Sequence, residues 1–132
     1  MLLVDTNVLV DVLQDDPQWA EWSIGQLRAQ AQIHELAVNP VIYAEMSLSF
    51  STMEVLDAVV ERMALTVQEI PKPALFLAGK AFAQYRRRGG SRAQVLPDFF
   101  IGAHAAVQGW ALLTRDGSRF RTYFPGLEVI GP

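Results

Sequence analysis

The chain has 132 residues, of which 51% are hydrophobic and 19% charged, with a net charge of −3 at pH 7. This composition supports one folded domain over residues 1–132 and excludes a disordered or low-complexity chain. With no cysteine and only two histidines, His34 and His104, it also excludes disulfides, thiolate zinc sites, a cysteine nucleophile and a His-rich metal centre.

The opening MLLVDTNVLVDVL carries Asp5 and Asp11 and lacks a basic start. It therefore reads as neither a signal peptide nor a membrane span, and a cytoplasmic protein with no membrane partner is expected. Leu2-Leu3-Val4 is a short apolar run, which predicts a buried strand ending at Asp5. From Asn7 to Leu13, the residues Val8, Leu9, Val12 and Leu13 share one helical face. Pro17 predicts the start of a second helix carrying Trp19, Trp22, Ile24 and Leu27. A second strand is expected at 35–38, followed by a helix capped by Asn39-Pro40. Ser51 and Glu54 have capping-box spacing and predict a helix to about Met63. A third strand is expected at 65–70. Residues 73–88 read as a helix with Leu75, Ala78, Phe82 and Tyr85 aligned. Pro97 predicts another helix, ended by Gly109, and strands four and five follow at 111–114 and 127–130.

Short apolar strands alternating with helices predict an α/β fold, with a mostly parallel sheet of about five strands between helical layers. In such sheets ligands bind at the carboxyl ends of the strands, near the switch in strand order. Asp5 closes the first strand, and Asp116 lies two residues past Thr114 at the end of the fourth. Asp98 stands in the first turn of the helix feeding that strand, and Glu45 on the helix after the second. Each has a plainer alternative: a helix cap for Asp5, a favourable helix-start charge for Asp98, a turn pair for Asp116-Gly117, and a solvated face for Glu45. What sets them apart is their convergence on one end of one sheet. Clustered carboxylates repel unless a cation is present. With only oxygen donors to bind it, the fitting cation is Mg²⁺ or Mn²⁺, which can activate water and neutralise a phosphodiester.

The stretch Leu3-Val4-Asp5-Thr6-Asn7-Val8-Leu9 resembles the opening motif of PIN-domain ribonucleases, most of all the VapC toxins of bacterial type II toxin–antitoxin pairs. Glu45 matches the family's second acid, Asp98 the third, and Asp116, after Leu112-Leu113-Thr114-Arg115, the fourth. The similarity runs from Leu3 to about Ile130. It implies a three-layer α/β/α fold, a metal-dependent endoribonuclease, a homodimer and inhibition by a VapB-type antitoxin. By the same resemblance Asp5 and Asp98 ligate the metal, while Glu45 and Asp116 complete the catalytic acids, partly through water. Thr6, Asn7 and Thr114 orient those acids or a water. The implied reaction is in-line attack of a metal-activated water on RNA, with no covalent intermediate.

Charge is uneven along the chain. Residues 1–85 hold eleven acids and four bases, while residues 86–132 hold seven bases and three acids. Arg86, Arg87, Arg88 and Arg92 are candidates for RNA phosphates or, alternatively, a cationic helix end. Arg115, Arg119 and Arg121 lie nearer the expected site and are further phosphate candidates. His104 and the three tryptophans are expected to be structural, and the apolar helices at 40–63 to form a dimer or antitoxin surface. Asn7 stands where a phosphotransferase of the haloacid dehalogenase type needs a second Asp. Neither Val38-Asn39 nor Glu69-Ile70 supplies a receiver domain's phosphorylatable Asp. The remaining alternative is a non-catalytic PIN-like module that binds RNA or antitoxin.

Overall fold

The computed structural model describes residues 1–132. Five parallel strands run in the order β3-β2-β1-β4-β5, flanked by seven α-helices. The central strand β1 (Leu2–Val4) pairs with β2 (Leu36–Val38) on one side and β4 (Ala111–Leu113) on the other. Sheet neighbours on both edges and helices on both faces leave no residue of β1 exposed, which is why it is uniformly apolar. The edge strands β3 (Thr66–Val67) and β5 (Val129–Ile130) are shorter than their expected spans and only partly buried, because each pairs on one side only. Strand order departs from β1 in both directions, so the switch point lies between β1 and β4.

Helix α1 (Thr6–Leu13) follows β1 directly, and α2 (Ala20–Ala31) packs on it. The second helix starts later than Pro17. Asp16 Oδ1 accepts the N–H groups of Gln18 and Trp19, each at 2.9 Å, so a turn precedes the helix. Helix α3 (Pro40–Ser47) begins as expected, with Asn39 Oδ1 accepting the Ile42 N–H at 2.9 Å. Helix α4 (Met53–Arg62) is capped by Thr52, whose hydroxyl accepts the Val55 N–H at 3.3 Å, rather than by Ser51. Glu54 is then the second helical residue, one short of the capping-box position.

Helix α5 (Lys72–Arg87) turns Ala78, Phe82 and Tyr85 inward as expected, but it buries Ala74 and Ala81 beside them and leaves Leu75 exposed. Small side chains let it lie close along α6 (Leu96–Gln108). A 3₁₀ turn at Ala93–Val95 leads into α6 just before Pro97. Gly102 of α6 faces the Phe124 ring, and a Cβ there would come within 2.4 Å of it. Gly109, at φ +70°, closes α6 and turns the chain into β4. The six-residue helix α7 (Ser118–Tyr123), absent from the sequence-based expectation, follows β4. Phe82, Tyr85, Phe99, Tyr123 and Phe124 form a ring cluster that fastens α5, α6 and α7 together.

Candidate active site

Asp5 leaves β1 at the switch point. Its N–H donates to Leu113 O at 2.9 Å, which ties it to β4. It precedes α1 with extended backbone, yet its side chain does not cap the helix. Oδ2 instead accepts the Thr114 hydroxyl at 2.7 Å. Burial pushes the Asp5 carboxyl up to about 7, with the charges of Asp98 and Glu45 adding to the rise and the Thr114 bond opposing it.

Glu45 projects from α3, and its Oε1 accepts the Thr6 hydroxyl at 2.7 Å. Burial raises it above the ordinary carboxylate range, the Thr6 bond opposes this, and Asp98 adds to it. Asp98, in the first turn of α6, receives Arg119 Nη1 on Oδ2 at 2.6 Å. Burial also raises Asp98. That outweighs the lowering by Arg119, and Asp116 contributes to the rise. Asp116 is exposed on the loop between β4 and α7. Its N–H donates to Thr114 Oγ1 at 3.2 Å, and its Oδ1 accepts the Ser118 hydroxyl at 3.3 Å.

Thr114 is the centre of this arrangement. Its one hydroxyl proton goes to Asp5, and its lone pairs face Asp116 N–H and Asn7 Nδ2, the latter at 3.4 Å. Asn7 Oδ1 in turn accepts the Arg115 N–H at 3.2 Å, pinning the loop that carries Asp116 to α1. The residues expected to orient the acids, Thr6, Asn7 and Thr114, thus each contact an acid or its loop.

The four acids lie close enough for charge on one to disturb another, yet no three Asp, Glu or His side chains are drawn together tightly enough to hold an ion. Chemically the set fits a hard divalent cation: every donor is oxygen. Asp5 is also a buried carboxyl beside two others, and its one side-chain hydrogen bond comes from a neutral hydroxyl. A cation there would offset the burial, and after it the neighbouring charges, that raise Asp5.

The arginines divide. Arg115 departs from the expectation of a free phosphate contact. Its Nε and Nη2 reach the two carboxylate oxygens of Asp11 at 2.9 and 3.1 Å, and its guanidinium lies 5.5 Å from the centre of the Trp19 ring. Sequence reasoning missed Asp11 as a partner. No local signal marked it: Asp11 lies one turn after Asn7, off the face shared by Val8, Leu9, Val12 and Leu13. Arg86 and Arg88 are exposed and lie over the rings of Phe82 and Tyr123, and the Arg92 N–H donates to the Tyr85 hydroxyl at 3.2 Å. Arg87 and Arg121 are exposed. His104 is fully buried, with Nδ1 3.2 Å from Asn39 Nδ2 and its ring 5.0 Å from that of Trp110. It steadies the residue that caps α3 and does not take part in the acid cluster.

Comparison with known proteins identifies the fold and the family. The PIN domain family model matches residues 2–124. A chain of the VapBC2 structure from Rickettsia felis, bound to a promoter DNA fragment, superposes with a TM-score of 0.75 at 17% identity, covering 99% of this chain and 98% of that one. A chain of DNA-bound VapBC from Salmonella typhimurium gives 0.71 at 20%, with coverages of 98% and 96%. One from a toxin–antitoxin complex of Klebsiella pneumoniae gives 0.64 at 20%, with the same coverages. No curated protein matches the chain. The solved structures share the fold, and the family model spans all four acids: the chain belongs to the PIN domain family.

Proposed function

We propose that this chain, as a single PIN domain over residues 1–132, is a VapC-type toxin: a metal-dependent endoribonuclease silenced by a cognate VapB-type antitoxin. The observation that carries this reading is the gathering of Asp5, Glu45, Asp98 and Asp116 at the switch point, with Asp5 pushed up to about 7 by burial and by neighbouring acids. The structural neighbours are VapBC and toxin–antitoxin assemblies, which supports an antitoxin partner. Leu48 is 88% exposed and Met53 64%, on and beside the helices that would form a homodimer surface. No helix is long and apolar enough to cross a membrane.

Asp5 and Asp98 would hold Mg²⁺ or Mn²⁺, which when bound supplies charge neutralisation for a phosphodiester and lowers the pKa of a coordinated water. The chain's own residues do the rest. Thr114 fixes the rotamer of Asp5 through Oδ2 and leaves Oδ1 directed elsewhere. Thr6 holds Glu45 by Oε1, leaving Oε2 able to accept a proton from the attacking water. Asp116, exposed on its loop, positions water at the rim. The exposed Arg86, Arg87, Arg88, Arg92 and Arg121 are the guanidinium groups available to RNA phosphates, whereas Arg115 is paired with Asp11 and Arg119 with Asp98.

The test is incubation of total RNA with antitoxin-free protein and Mg²⁺ or Mn²⁺, beside EDTA and Asp5→Asn. Discrete fragments that require metal and vanish in Asp5→Asn are expected. Folded, metal-loaded protein that cuts none of several RNA pools would leave the non-catalytic binding module as the better reading.

A further inference from the structure

Arg119 stands three residues after Asp116, on the first turns of α7, and reaches across to Asp98 of α6. The contact is single, Nη1 to Oδ2, and leaves the other guanidinium donors without a protein partner. Both side chains are part-exposed, Arg119 at 27% and Asp98 at 31%, so each can rehydrate or change partner. Asp98 is the one acid of the four that carries a cationic side chain.

We infer that Arg119 is a resident cation of the acid cluster, holding Asp98 until a divalent ion displaces it and then carrying its freed guanidinium to a substrate phosphate. The inference rests on the metal-dependent nuclease reading. Exchange of one cation for another keeps Asp98 paired at every stage. It also presents a forked donor to a phosphate only once the metal is in place, when cleavage becomes feasible.

The test is calorimetric titration of Mn²⁺ into metal-free protein, comparing wild type with Arg119→Gln and Arg121→Gln. The Arg119→Gln change is also made in an Asp98→Asn background. Arg119→Gln is expected to bind Mn²⁺ about tenfold tighter. Arg121→Gln, which removes the same charge from the same helix without touching Asp98, should change affinity less than twofold. In the Asp98→Asn background Arg119→Gln should change nothing. A second readout is anisotropy of a fluorescent single-stranded DNA 12-mer with Ca²⁺. Arg119→Gln should lose about fivefold in affinity with Ca²⁺ and nothing in EDTA. Unchanged Mn²⁺ affinity in Arg119→Gln, an equal gain in Arg121→Gln, or a DNA loss independent of the cation overturns the inference alone. Absence of Mn²⁺ binding in every protein overturns the metal-site reading and the inference with it.

Discussion

Arginine meets aspartate twice near the switch point, and the two pairs are opposite in kind. Arg115 meets Asp11 with two nitrogens on two oxygens, Asp11 is 3% exposed, and the buried Ser23 hydroxyl adds a third bond to that carboxylate at 2.9 Å. Trp19 covers the guanidinium. The pair joins α1, α2 and the β4–α7 loop through a carboxylate that accepts three hydrogen bonds away from solvent. Arg119 meets Asp98 by one contact, both partners are part-exposed, and other carboxylates act on Asp98. Two ion pairs of similar length therefore differ in use. The pair whose carboxylate is buried and three times hydrogen-bonded holds the scaffold, and the single contact to a part-exposed carboxylate among like charges is available for exchange.

The sharpest way to break that comparison is to neutralise each aspartate. Asp98→Asn is expected to lower RNA cleavage by about a thousandfold, or roughly 4 kcal/mol of transition-state stabilisation, with a melting temperature close to wild type. Single-turnover cleavage and thermal melts of the same preparation check this. Asp11→Ala should do the reverse in stability, costing about 3 kcal/mol in denaturant unfolding because it strands Arg115 and a buried Ser23 hydroxyl. If Asp98→Asn proves the more destabilising of the two, the assignment of roles is inverted.

A smaller effect sharpens the contrast through pH. The Asp5 carboxyl is pushed up to about 7 in the folded chain, against about 3.9 when unfolded. The unfolded chain therefore loses its proton first. The stability owed to protonated Asp5 is complete below about pH 4 and is lost as pH rises through about 7. Asp5→Asn keeps a neutral side chain throughout. In EDTA it should be more stable than wild type by about 2 kcal/mol at pH 8, with no gain at pH 4. Urea unfolding at the two pH values measures the difference, and a gain of equal size at both would remove charge as its cause. The smallest expected effect lies away from both pairs. Thr52→Ala should cost about 1 kcal/mol and Ser51→Ala less than 0.5 kcal/mol in the same assay, since only Thr52 accepts a helix N–H.

Much of the site could be read in the chain because its acids sit beside the signals that define the elements. Asp5 is the residue after an apolar strand, Asp98 follows a helix-starting Pro97, and Glu45 lies on a helix announced by Asn39-Pro40. Periodicity and capping are local physics, and they locate these residues without any knowledge of packing. The edge strands were less legible because pairing on one side supports fewer residues than an apolar run suggests. The buried stripe of α5 was misjudged at Leu75 because close approach to α6 favours alanines over bulk, a preference set by the partner helix.

Local sequence was enough to establish a parallel α/β sheet and to bring four acids to one end of it. Which charges pair was settled only by folding. Asp11 and Arg115 are 104 residues apart, and Asp98 and Arg119 are 21 apart on different helices, so no spacing rule joins either couple. Arg115 and Arg119 look equivalent in the chain, four residues apart and both near Asp116. They part company because one side chain reaches a buried carboxylate and the other a half-open one, and desolvation makes the first permanent and the second exchangeable.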